Sequence, residues 1–220
     1  MPPALIMFDL DGTLIDSAPD LAVAVNSMLA DHACEPLAVG EVRRMVGDGV
    51  AMLVARALAA RECESADPAE AQRSFMRHYE SAATSLTTVF PGVAQALQAL
   101  RAAGIPLAVC TNKPARITAD ILARLGLARH FARVIGGDSL PFRKPDPRVL
   151  LSLLETFAAG AESSLLVGDS EVDAATAQAA AVPFVLMKHG YRRGPVTAIR
   201  CRAALENFAE LPALVGVAAR

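Results

Sequence analysis

The 220-residue chain is 53% hydrophobic and 20% charged, with a net charge of −2 at pH 7, enough apolar side chain to bury a large core and no excess of either sign. These figures exclude a disordered chain, a nucleic-acid partner and an anionic membrane surface as expectations, and no apolar run reaches the ~18 residues of a membrane span. The N-terminus has neither a basic region nor an apolar segment suited to export, so a cytoplasmic location is expected. Cys34, Cys63, Cys110 and Cys201 form no C-x-x-C pair and have no His at ligand spacing, which argues against a zinc site or a disulfide framework and favours reduced thiols. The most basic stretch (Arg192, Arg193, Arg200, Arg202) is broken by Gly and Pro and reads as solvated surface.

The first predicted element is a strand, Leu5 to Phe8, which runs directly into "DLDGTLIDS". From about Ser17 to Val89 no convincing strand follows. "LAVAVNSMLADH" and "GVAMLVARALAAR" carry apolar residues at helical spacing, so this interval is expected to be a helical insert. The chain returns through "VFPGV", whose Pro91 and Gly92 predict a turn before a helix. Four more short apolar runs then predict strands: Pro106 to Cys110, Arg133 to Ile135, Ser164 to Val167 and Val182 to Met187. Helical spacing separates them, as in Val93, Leu97, Leu100 and in Ile117, Ile121, Leu122, Leu125. Strands alternating with helices predict an α/β protein with a parallel sheet covered on both faces. The expected division is a core of residues 1–16 and 90–220 with a helical insert of residues 17–89.

The acids gather where such a sheet binds ligands, past the carboxyl ends of its strands. Asp9 and Asp11 follow the first strand and, at i and i+2, can point the same way. Neighbouring carboxylates repel, so one must hold a proton or both must share a cation, and oxygen ligands suit Mg²⁺. Asp169 follows the fourth strand, with Asp173 one helical turn on. Thr111 and Asn112 follow the second, and Lys144 lies in the loop after the third. Each alone has an ordinary explanation as a turn, a helix cap or a surface charge. Together they supply a carboxylate nucleophile, a neighbouring acid, a hydroxyl, a lysine and a metal ligand, the parts needed for phosphoryl transfer through an aspartyl phosphate.

"DLDGTLIDS", "TNK", "KPDP" and "GDSEVDAATAQAA" resemble the four motifs of the haloacid dehalogenase superfamily, and more narrowly its phosphoglycolate phosphatase group. The resemblance implies a Rossmann-like core with an inserted helical cap and a Mg²⁺-dependent phosphomonoesterase acting on a small phosphorylated metabolite. It also implies roles: Asp9 as nucleophile and metal ligand, and Asp11 as general acid and base whose backbone carbonyl meets the metal. Asp169 would be a further ligand, Asp173 support behind the metal, and Thr111, Asn112 and Lys144 holders of the phosphoryl oxygens.

2-Phosphoglycolate is the expected substrate, with a sugar phosphate such as N-acetylmuramic acid 6-phosphate or a phosphomutase reaction as alternatives. A dehalogenase needs neither Asp11 nor a magnesium ligand set, and a signalling receiver would be about half as long and lack the helical insert. Selectivity is expected from "RRMVGDGVAML", where Arg43 or Arg44 could meet a substrate carboxylate and Gly47 and Gly49 admit an anion to backbone amides. Two stretches depart from the family pattern. Ala181 stands where relatives commonly carry Gly, a strained choice if φ is positive, and "HGYRRG" (His189 to Gly194) has an unexpected form; both are expected to lie away from the phosphate chemistry.

Overall fold

Leu5–Phe8 forms β1, a run of four apolar residues with no solvent exposure, as a parallel strand covered on both faces requires. The computed structural model describes residues 2–63, 66–82 and 85–217. Past β1 the order is β2 (Ile15–Asp16), α1 (Ala18–Asp31), α2 (Val39–Arg43), α3 (Val50–Ala60), α4 (Pro68–Ala82), β3 (Thr88–Val89) and α5 (Val93–Ala102). There follow β4 (Leu107–Cys110), α6 (Ala115–Arg124), β5 (Arg133–Ile135), α7 (Arg148–Thr156), β6 (Ser164–Gly168), α8 (Glu171–Ala179), β7 (Phe184–Met187), β8 (Ala203–Leu205) and α9 (Leu211–Leu214). No described helix is long and apolar enough to cross a membrane.

Six strands make one parallel sheet in the order β5-β4-β1-β6-β7-β8. The chain builds outward from β1 in one direction through β4 and β5, then returns to β6 and builds the other way. β1 and β6 are therefore neighbours at the reversal, with Phe8 level with Val167, and the crevice beyond their ends is where open α/β sheets bind ligands. Side chains alternate between faces. Leu5 and Met7 join Leu150 and Leu153 of α7; Ile6 and Phe8 join Leu97 of α5 and Ile121 of α6.

The five expected strands are present, and three short ones are additional. β8, with the sequence Ala-Ala-Leu, lacks the branched residues that mark a strand. β2 and β3 pair antiparallel, Ile15 with Val89 and Asp16 with Thr88, so the chain enters and leaves the helical interval side by side. Two-residue strands have no periodicity to detect. Buried Asp20 at the start of α1 fastens this crossing, accepting from Leu86 N, Thr87 N and Thr87 Oγ1. Leu21, Val25 and Met28 of α1 then pack with Phe75 and Tyr79 of α4 in the same apolar cluster as Phe8.

One expectation is corrected here. Cys34 and Cys63 form a disulfide that joins the ends of α1 and α3, with Cα atoms 6.3 Å apart; Cys110 and Cys201 are free. Spacing along the chain could not show that two helix ends 29 residues apart meet.

Ala181 has φ 56°, the left-handed conformation that costs a residue with a Cβ about 1 kcal/mol or more. Ala181→Gly is expected to raise unfolding stability by about 1 kcal/mol, measured by urea denaturation. An unchanged or lower midpoint would show that the loop is not strained.

Candidate active site

The site begins where β1 stops. Asp9 N donates to Val167 O at 2.9 Å, extending the ladder to the strand end. The chain then turns sharply, with Leu10 O accepting from Thr13, Leu14 and Ile15 N. Gly12 permits this at φ +87°; a Cβ there would lie 2.5 Å from Asp169 Oδ2. The turn sends the two aspartates to different partners.

Asp9 Oδ1 accepts from Lys144 Nζ at 2.7 Å, and Lys144 Nζ also donates to Asp173 Oδ1 at 2.6 Å. The other Asp173 oxygen accepts from Ser170 Oγ, Ser170 N and Asp169 N, within the capping box of α8. Asp169 is held by Thr13 Oγ1 and Tyr191 N, each at 2.6 Å. Asp9, Asp169 and Asp173 are all buried, and one carboxylate oxygen of each lies within 4.8 Å of the others. Burial pushes the Asp9 carboxyl up to about 7, with Lys144 opposing and Asp173 adding to the rise. Burial and the neighbouring acids raise Asp169 well above the usual carboxylate range. Burial works against the Lys144 charge, but Asp173 and Asp9 outweigh it and its net shift is upward.

Three buried carboxylates face one ammonium here. The imbalance of two negative charges and the all-oxygen donor set fit a divalent hard cation.

Asp11 faces the other way. Its oxygens accept from Lys113 Nζ at 2.8 and 2.9 Å, and Oδ1 also accepts from Ser17 Oγ at 2.5 Å. Its side chain is not part of the acid cluster, which leaves its backbone carbonyl as the group that could serve a metal.

Thr111, Asn112 and Lys144 are buried and border one cavity together with Asp9, Asp11 and Asp169. Asn112 Nδ2 donates to Gly47 O and Lys144 O, both at 2.9 Å, tying the insert to the core, while its Oδ1 is buried without a hydrogen-bond partner. Gly47 and Gly49 line the cavity with φ +120° and +88°. Arg44 is exposed and not among the lining residues, and Arg43 pairs with Asp16 at 3.0 Å. Neither arginine lines the cavity.

Sequence reading overlooked Lys113, Tyr79, Thr13 and Tyr191. Lys113 stood inside the "TNK" signature, two residues past Thr111 and therefore at the same strand end. "HGYRRG" was expected to lie away from the chemistry, and that is corrected: Tyr191 N holds Asp169, and its hydroxyl donates to Asp16 and accepts from Ser17 N and Ala18 N. Its loop follows β7, which lies next to β6, so it opens onto the same strand ends.

A family model for haloacid dehalogenase-like hydrolases matches residues 6–187. The chain belongs to that family. A phosphoglycolate phosphatase from Cereibacter sphaeroides is 45% identical over 213 residues, 96% of each chain. One from Rhodospirillum rubrum is 44% identical, covering 95% of this chain and 89% of that one. The crystal structure of a predicted phosphoglycolate phosphatase from Haemophilus somnus superposes with a TM-score of 0.92 at 32% identity, covering 96% of this chain and 97% of that one.

Proposed function

We propose that this family member is a Mg²⁺-dependent phosphomonoesterase that converts 2-phosphoglycolate to glycolate and phosphate. In this reading residues 1–16 and 90–220 are the catalytic core, and 17–89 form a helical cap that closes over it and excludes water. Asp9 attacks phosphorus in line to give an aspartyl phosphate. Asp11 gives its proton to the departing alkoxide and then takes one from the hydrolytic water. Thr111, Asn112 and Lys144 hold the phosphoryl oxygens, and Lys144 balances charge around Asp9. Asp9, Asp169 and the Asp11 carbonyl would hold Mg²⁺, with Asp173 fixing Lys144 from behind. Bound there, the ion supplies positive charge to the transferring phosphoryl group.

The observation that carries the substrate reading is the similarity to phosphoglycolate phosphatases, 44% and 45% identical over nearly the whole chain. The cavity beside the acids is lined also by Leu21, Val50, Leu53, Phe75 and Tyr79.

The test is initial-rate phosphate release with Mg²⁺ from 2-phosphoglycolate beside sugar and nucleotide monophosphates. The expected result is a preference for 2-phosphoglycolate of at least about tenfold in kcat/KM. Preference for a sugar phosphate would overturn the substrate while keeping the chemistry; phosphoryl exchange without net release would point to a mutase.

A further inference from the structure

The cavity has two lining lysines with different attachments. Lys144 lies between two acids, Asp9 and Asp173. Lys113 is equally buried, its side chain 3% exposed, yet its one carboxylate partner among the described residues is Asp11. An ammonium has three N–H donors, and Asp11 takes bonds from Lys113 at 2.8 and 2.9 Å. Beside it Tyr79 presents its ring 4.8 Å from Lys113 Nζ, and its buried hydroxyl has no neighbour to bond other than that ammonium. The hydroxyl's own proton therefore has no acceptor, which is costly for a buried group. Among the described residues no arginine is part of the cavity lining, although Arg143 lies beside Gly49.

We propose that Lys113, with the Tyr79 hydroxyl, is the specificity-determining site for a carboxylate on the carbon next to the scissile oxygen, so that the substrate class is O-phosphorylated 2-hydroxy acids. The proposal rests on the phosphatase reading above, in which Asp11 protonates the leaving oxygen. To do so the Asp11 carboxyl must come within about 2.7 Å of that oxygen. Lys113 Nζ already sits 2.8 Å from the same carboxyl group. The ammonium therefore lies about two hydrogen-bond lengths from the scissile oxygen, the span in which a carboxylate on the adjacent carbon falls. A neutral hydroxyl there offers one uncharged oxygen where the carboxylate offers two charged ones, so the buried ammonium and the Tyr79 hydroxyl lose their charge-assisted bonds. Selectivity of that origin is steep, because the penalty is an unpaired polar group rather than a lost van der Waals contact.

The test compares kcat/KM, with Mg²⁺, for 2-phosphoglycolate and for 2-hydroxyethyl phosphate, which puts a neutral CH₂OH where the carboxylate was. Turnover of p-nitrophenyl phosphate, whose leaving group needs no added proton, reports that each variant is folded and transfers phosphoryl groups. The wild-type chain is expected to favour 2-phosphoglycolate by at least about 100-fold. In Lys113→Met that preference should fall below about tenfold, with a raised KM for 2-phosphoglycolate. Tyr79→Phe, which keeps the ring, should raise the same KM several-fold and leave 2-hydroxyethyl phosphate unaffected.

An equal loss on both substrates, with the preference intact, would overturn the proposal: Lys113 would then only position Asp11, and the phosphoglycolate reading would stand. A wild-type enzyme that hydrolyses p-nitrophenyl phosphate without favouring 2-phosphoglycolate would remove both. Should Lys113→Met lose all turnover, Tyr79→Phe decides, and an unchanged preference there overturns the proposal.

Discussion

Asp9→Asn is expected to lower kcat for phosphate release by at least about 10⁴-fold, the scale of loss when a covalent nucleophile is removed. The amide retains the shape of the side chain but has no carboxylate oxygen with which to attack phosphorus. Folding should survive, for two physical reasons. Lys144 keeps its 2.6 Å bond to Asp173, so no buried cation is stranded, and the lost group is one whose charge burial already opposes. Thermal melting of the metal-free variant should therefore lie at or above the wild-type value. Activity within tenfold of wild type would remove Asp9 as the nucleophile.

The second large effect concerns metal and pH together. Chelation with EDTA should abolish turnover and added Mg²⁺ should restore it, because the attacking group and the acids beside it can ionise together only when a cation shares their charge. In the metal-free protein Asp9 is raised from 3.8 to about 7 and Asp169 is raised as well. A carboxyl raised in the folded state binds protons there more tightly than in the unfolded chain. Its stabilising contribution is complete below pH 3.8 and is lost as pH climbs through about 7. The metal must displace those protons, so Mg²⁺ affinity should rise with pH toward neutrality and binding should release protons. The expected slope approaches about tenfold per pH unit below about pH 7 for each proton displaced. Calorimetry in buffers of different ionisation enthalpy measures the release directly. Affinity that is flat from about pH 6 to about pH 8 would mean that these carboxyls are not the ligands.

The acids of this site were legible because each follows an apolar strand, and strand ends are where a parallel sheet gathers its chemistry. Asp9, Thr111, Asn112, Lys144, Asp169 and Asp173 all border or adjoin the one cavity. Sequence spacing also placed Asp9 and Asp11 on one face, and there the turn at Gly12 intervened: their carboxylates go to different lysines. Residues whose part depends on which strands are neighbours were not legible. Tyr191 reaches Asp169 across the β6–β7 pair, and Tyr79 meets Lys113 from a helix more than thirty positions earlier in the chain. Arg43 and Arg44 show the converse: the right charge in the right loop, turned toward Asp16 or solvent.

The central claim is that phosphate leaves in two displacements, the first by Asp9. Hydrolysis of the phosphorothioate analogue of 2-phosphoglycolate, made chiral at phosphorus with sulfur and two oxygen isotopes and run in water of the third isotope, tests it most directly, since each in-line displacement inverts the centre. Retention of configuration in the released thiophosphate is the expected result. Inversion would mean that water attacks the substrate in a single step and that Asp9 is not a covalent nucleophile.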